Sequence, residues 1–311
     1  MSDRERFVAA GRPRWDRLEQ LLHGVRGPDG WTELAALYRA TCADLARARS
    51  LGLPQDIEDY LDDLAGRAHN RLYGSRSIER IDLLRQLGAD FPRELRARWP
   101  FLLASHVLFY GPFLVMMGLC LVDPDWALIV LDPDTLAQID FMYAVPTDRG
   151  SVGQDATMAG FYVWNNVGIA FRCFATGIAF GAGPVFYLVN NGLTIGTIAG
   201  YLTAVGYGGN LAAFVIGHGP WELTGVVVAG AAGLRMGWAL IDTGGRTWAG
   251  SLSAAAPGLY LMVLGATFML LVAALIEGFW SASPVPMGVK VVFAVAQVAI
   301  VASWLSLGGR R

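Results

Sequence analysis

Leu211 to Arg235 reads LAAFVIGHGPWELTGVVVAGAAGLR, an apolar run of 25 residues with His218 and Glu222 in its interior and an arginine at its end. At about 1.5 Å of rise per residue, a helix of this length covers the roughly 30 Å hydrocarbon layer of a bilayer. Comparable runs lie near 101–122, 158–182, 184–206, 254–277 and 287–307, six in all. The first 99 residues hold 17 Arg and 16 Asp or Glu, whereas the other 212 hold only 17 charged residues. The sequence therefore predicts an all-α polytopic membrane protein. A soluble helical bundle spans 1–99, and a transmembrane domain spans 100–311 with an acidic segment at 123–157.

The head carries its own periodicity. Leu34, Leu37, Tyr38, Thr41 and Leu45, then Ile57, Tyr60, Leu61, Leu64, Ala68 and Leu72, form apolar stripes of amphipathic helices. Pro54, followed by Asp56, Glu58 and Asp59, opens the second of these with acids at its positive end. A first helix around Trp15, Leu18 and Leu22 and a fourth around Ile78, Ile81, Leu84 and Leu87 complete the expected bundle. The near balance of Arg and acid, with a net charge of -2 for the chain, argues against a nucleic-acid partner. From Asp90 to Pro100 the pattern changes: Phe91, Leu95 and Trp99 share a face, with Arg93, Arg96 and Arg98 interleaved. That suits a helix anchored on an anionic lipid surface, the plainer alternative being the last helix of the bundle.

Orientation follows from the charges beside the runs. Arginines cluster before the first run, in the loop holding Arg246, and at Arg310 and Arg311, whereas residues 123–157 hold seven Asp and one Arg. The positive-inside rule then expects a multi-pass protein of a bacterial inner membrane, with both termini cytoplasmic and the acidic segment outside. The opening Met1–Arg6 has no apolar core of a secretory signal, in keeping with a cytoplasmic head. Within the acidic segment, Asp132 is expected to cap a short interfacial helix. Gly181 to Pro184 must turn the chain between the second and third runs. Gly192, Gly196 and Gly200 repeat at four-residue spacing, the small-residue ladder of an interior or dimer-forming helix, so a homo-oligomer is one expectation.

Polar side chains inside the runs mark where the protein works, because hydrocarbon tolerates them only when they face one another or water. These are Asn165, Asn166, Arg172, Asn190, Asn191, His218 and Glu222. His218 and Glu222 are i and i+4 and share a helical face; Pro220 between them is expected to bend the helix. The carboxylate of Glu222 needs either Arg172 as a partner or a proton. The cluster either locks the bundle or binds a ligand, ion or partner segment. Glu277 and Lys290 are expected as an interfacial pair at the ends of the fifth and sixth runs. Phe161-Tyr162 with Asn165-Asn166 recurs as Phe186-Tyr187 with Asn190-Asn191, a hint of an inverted helix pair. No His or Cys set stands at a ligand spacing and no nucleophile motif precedes a run, so neither catalysis nor a metal or cofactor is expected.

Gly160-Phe161-Tyr162 leading to Asn165-Asn166, Asn191-Gly192 with Gly196, His218-Gly219-x-x-Glu222-Leu223 and Ile276-Glu277-Gly278-Phe279 resemble the stage II sporulation protein M family. The resemblance implies a non-enzymatic integral membrane scaffold or assembly factor that works with envelope or peptidoglycan-remodelling proteins. The long Arg-rich head is similar to an extension found on many members. The alternative reading is a transporter or channel built on the Asn, Arg, His and Glu cluster.

Overall fold

The apolar stripes of the head close on one another in the computed structural model, which describes residues 3–24, 27–73, 80–144, 160, 166–281 and 283–310. Among these residues the chain is helical, with no strand. It forms two compact units, Met1–Glu79 and Arg80–Arg311.

The first unit is a bundle of three helices: α1 (Asp3–His23), α2 (Gly27–Ser50) and α3 (Gln55–Tyr73). Trp15, Leu18, Leu34, Leu61 and Leu64 are all but inaccessible at its centre, and the Trp15 indole donates to Asp44 at 2.9 Å. Of the expected fourth bundle helix, Ile78 lies outside the described residues, and the rest forms α4 (Arg80–Arg85) and the π turn that follows it, Gln86–Asp90, in the second unit. Leu84 on α4 is exposed.

The second unit begins some twenty residues earlier than the change in composition, because α5 (Phe91–Ala97) is built into its core. Phe91 and Leu95 are buried, and the Phe91 ring lies 5.3 Å from that of Trp304. Two of the residues read as a surface anchor, Arg93 and Arg96, are drawn into contacts within the unit. Arg96 donates to the carbonyls of Leu305 and Gly308, both at 2.6 Å, and Arg93 to that of Gly309 at 2.9 Å. These carbonyls close the last helix of the chain and have no intrahelical donor, so the guanidinium groups cap the helix and oppose its dipole. Arg98 bonds to Glu94 at 3.4 Å, and Trp99 stays exposed.

Among the described residues, four helices are long and apolar enough to cross a membrane: α6 (Trp99–Val122), α11 (Gly219–Ile241), α12 with its terminal π turn (Trp248–Ser281) and α13 (Met287–Leu307). Of the remaining two runs, the third forms one helix over most of its length and the second lies partly outside the described residues. The second run is represented by α8 (Gly168–Ala175) and a 3-10 turn to Ile178, and the third is α9 (Ala182–Ala204). Gly181, at φ +84°, makes the turn between them. Gly192, Gly196 and Gly200 meet the backbone of Phe109, Phe113 and Met117 in ascending order, so α9 lies parallel to α6. The chain must therefore return from the end of α6 before α9 can start. The glycine ladder is used inside the chain, so it gives no face for dimerisation.

At the centre stands α11, buried over most of its length against α6, α8, α9 and α12. Its Val227 carbonyl accepts from Ser105 of α6 at 2.6 Å, both within the core. The run from which it comes is not one bent helix. It divides into α10 (Gly208–Val215) and α11, and Pro220 falls in the first turn of α11. A proline there breaks no bond, since the first amides of a helix have no internal acceptor.

The acidic segment holds α7 (Pro133–Tyr143), capped by Asp132 as its sequence suggests. One carboxylate oxygen accepts from the Thr135 amide at 2.9 Å and the other from its hydroxyl at 2.7 Å. These bonds, the amide first, hold the Asp132 carboxyl below its usual range. The folded value is lowered, so the cap stabilises at neutral pH and its contribution disappears as pH falls through that value. Asp132→Ala should speed amide exchange in the first turn of α7 while leaving the core helices protected, as hydrogen-exchange mass spectrometry would record. Unchanged exchange at Thr135 would count against the cap.

Candidate functional site

The break between α10 and α11 places a histidine where a helix begins. His218 is 3% exposed, and its carbonyl accepts from the amides of Trp221 and Glu222 to open α11. One turn on, Glu222 returns to the same side, with Oε2 3.4 Å from His218 Nε2. The second wall comes from the far end of α12, where the coil widens into a π turn over Glu277–Ser281. Such turns recur at functional sites because the extra residue re-aims side chains. Here it brings Ser281 Oγ to 2.8 Å from His218 Nδ1 and buries Glu277 beside the other two. One ligand atom each from His218, Glu222 and Glu277 all lie within 4.8 Å of one another. Glu277 Oε2 is buried without a hydrogen-bond partner.

The surrounding contacts fix this geometry. Lys290, in the first turn of α13, is buried and donates to the carbonyls of Ala213 at 3.1 Å and Ser281 at 2.7 Å. It thereby ties α10, the π turn and α13 together. Asn210 donates to the Tyr143 carbonyl at 2.8 Å, fixing the end of α7. Burial, with the charges of Glu277 and Glu222, pushes the Tyr143 phenol above its usual range.

Of the seven residues expected to converge, His218 and Glu222 do. Asn165 lies outside the described residues, as do Phe161 and Tyr162 of the proposed repeat. Asn166 is buried. Arg172 is exposed and bonds back to the Gly168 carbonyl of its own helix at 3.1 Å; among the described contacts it makes no ion pair with Glu222. Asn190 is exposed, and Asn191 donates to the Tyr187 carbonyl one turn earlier at 2.7 Å. Glu277 and Lys290 correct a further expectation. Both are buried; Lys290 donates to two carbonyls, and Glu277 sits beside His218 and Glu222, with no ion pair between Lys290 and Glu277 among the described contacts. Spacing alone could not join Glu277 to His218, since the two stand far apart in the chain. The available signal was a lone acid closing a long apolar run.

A second polar contact escaped the sequence reading. Arg235, 8% exposed, donates to Glu94 of α5 at the opposite end of α11. Between α6, α11 and α13 the surface is furrowed by an apolar groove of about 840 Å³, with Tyr110, Thr224, Val295 and Val298 among its walls.

Comparison with known families gives two matches. Residues 107–282 match the family described as Stage II sporulation protein M, which covers more than half of the chain and the whole acid–imidazole cluster. Residues 5–74, the head, match a domain of unknown function (DUF8413). No curated protein matches, and no solved structure does.

Proposed function

The chain belongs to the stage II sporulation protein M family, and from that premise we propose that it is a non-enzymatic membrane scaffold that assembles cell-envelope or peptidoglycan-remodelling proteins. The observation that carries this reading is the groove along α13. Val291, Val295, Val298, Ala302 and Leu305 line it from one helical face, over about 21 Å at 1.5 Å per residue. Only 11% of the α13 span is buried within the chain, which leaves its face for a second occupant. A depression of that length, walled by three helices and mainly apolar, with His106, Tyr110 and Thr224 as its polar side chains, fits the transmembrane helix of a partner packing by shape.

The charges at the two ends support an orientation. Arg93, Arg96 and Arg235 gather where α13 finishes, and the acid–imidazole cluster lies where α13 begins. By the positive-inside rule the arginine end faces the cytoplasm, with both termini, and the cluster faces outward.

A photo-crosslinking residue at Val298, inside the groove, should capture an envelope protein in native membranes. The same residue at Val292, which is 71% exposed and outside the groove, should not. Lipid adducts alone at Val298 would overturn the assignment.

A further inference from the structure

We propose that His218, Glu222 and Glu277 bind one divalent metal ion of the zinc–manganese class and so clamp the start of α11 to the end of α12. The distances suit such an ion. Two ligands on a tetrahedral zinc at about 2.1 Å stand about 3.4 Å apart. His218 Nε2 and Glu222 Oε2 are 3.4 Å apart, and the atom from Glu277 completes the set within 4.8 Å. Closing the third side requires a rotation of one carboxylate.

Three further observations point the same way. Glu277 is 7% exposed; its carboxylate offers one oxygen to the cluster, and its buried Oε2 has no hydrogen-bond partner. Burying such a group costs about 1–3 kcal/mol unless something meets it. Next, Ser281 Oγ lies 2.8 Å from His218 Nδ1 and 3.4 Å from the Ile276 carbonyl, a placement that lets it accept from Nδ1–H while donating to that carbonyl. The imidazole then keeps its lone pair on Nε2, facing the acids, in the outer-sphere arrangement that orients histidine ligands in metal sites. Finally, two carboxylates gather around one imidazole, and a dication neutralises both acids at one point. The donor set, one imidazole and two carboxylates, suits zinc or manganese better than a thiol-seeking ion.

The test uses the full chain in detergent, stripped with a chelator, incubated with Zn²⁺ or Mn²⁺, desalted and analysed by elemental mass spectrometry alongside thermal melting. About one equivalent of one ion should be retained, with a rise in Tm. Glu277→Gln should lose the bound ion and the rise, yet melt no lower than wild type without metal, since it relieves the repulsion between the acids. Should Glu277→Gln fail to fold, Ser281→Ala decides, with an affinity about 10- to 100-fold weaker. A wild type that retains neither ion and shows no change in Tm would overturn the proposal. So would a folded Glu277→Gln that responds as wild type does, or an unchanged affinity in Ser281→Ala.

Discussion

Gly196→Leu is expected to prevent the membrane unit from reaching its native packing. A Cβ at this position would stand 2.7 Å from the Phe113 Cα and 2.8 Å from its carbonyl carbon, with the carbonyl oxygen closer still. Its neighbours on the same ladder, Gly192 and Gly200, meet α6 in the same way. A side chain in the path could rotate aside, whereas a backbone can yield only if α6 and α9 separate along their length. Overpacking costs about 1–3 kcal/mol where side chains give way, and more where they cannot. A loss of ~3 kcal/mol or more is therefore expected. Thermal melting of the detergent-purified protein should show a large fall in Tm or an aggregated product. Gly118→Leu, on α6 with open space around it, provides the control and should behave as wild type. Equal melting of the Gly196 variant and wild type would show that the two helices do not touch there.

The Glu94–Arg235 contact should give the second large effect. The pair joins α5 to α11 and packs against Gly258 of α12, where an added Cβ would strike both side chains. Removing Glu94 leaves the Arg235 charge buried without its partner, which costs about 3–5 kcal/mol, whereas removing Arg235 leaves Glu94 partly exposed and still bonded to Arg98. Glu94→Gln should destabilise by about that amount and Arg235→Met by less. Replacing both, as in Glu94→Leu with Arg235→Met, should recover most of the loss, because the desolvation of both charges disappears with them. The coupling energy of the double-mutant cycle measures the pair, and additive single effects would show that the contact contributes nothing.

How much of this was legible beforehand varied with the distance along the chain between interacting groups. His218 and Glu222 share a helical face by their i, i+4 spacing, and the structure keeps them together. The glycine ladder announced a close approach but not its target on α6. Asp132 declared its cap through the proline and acids that follow it. Arg96 is the contrary case, since its acceptors lie 209 and 212 residues away. Read locally, an arginine among apolar residues resembles a lipid anchor; in the fold it closes the last helix. Pro220 was misplaced for a related reason, because a proline that bends a helix and one that starts a helix look alike in sequence.

By itself the sequence determined the division into a charged helical head and an apolar helical body, the approximate position of the long helices, the Asp132 cap of α7 and the glycine face. All of these follow from backbone geometry and from transfer of side chains between water and hydrocarbon, which act over a few residues at a time. Only the tertiary structure decided that α11 is the central helix, that Glu277 rather than Arg172 meets Glu222, and that α5 belongs to the body. Hydropathy says that a helix enters the membrane, not which neighbour it finds. In a bilayer that choice is made by packing and by the need of each buried polar group for a partner, and both are properties of the assembled bundle.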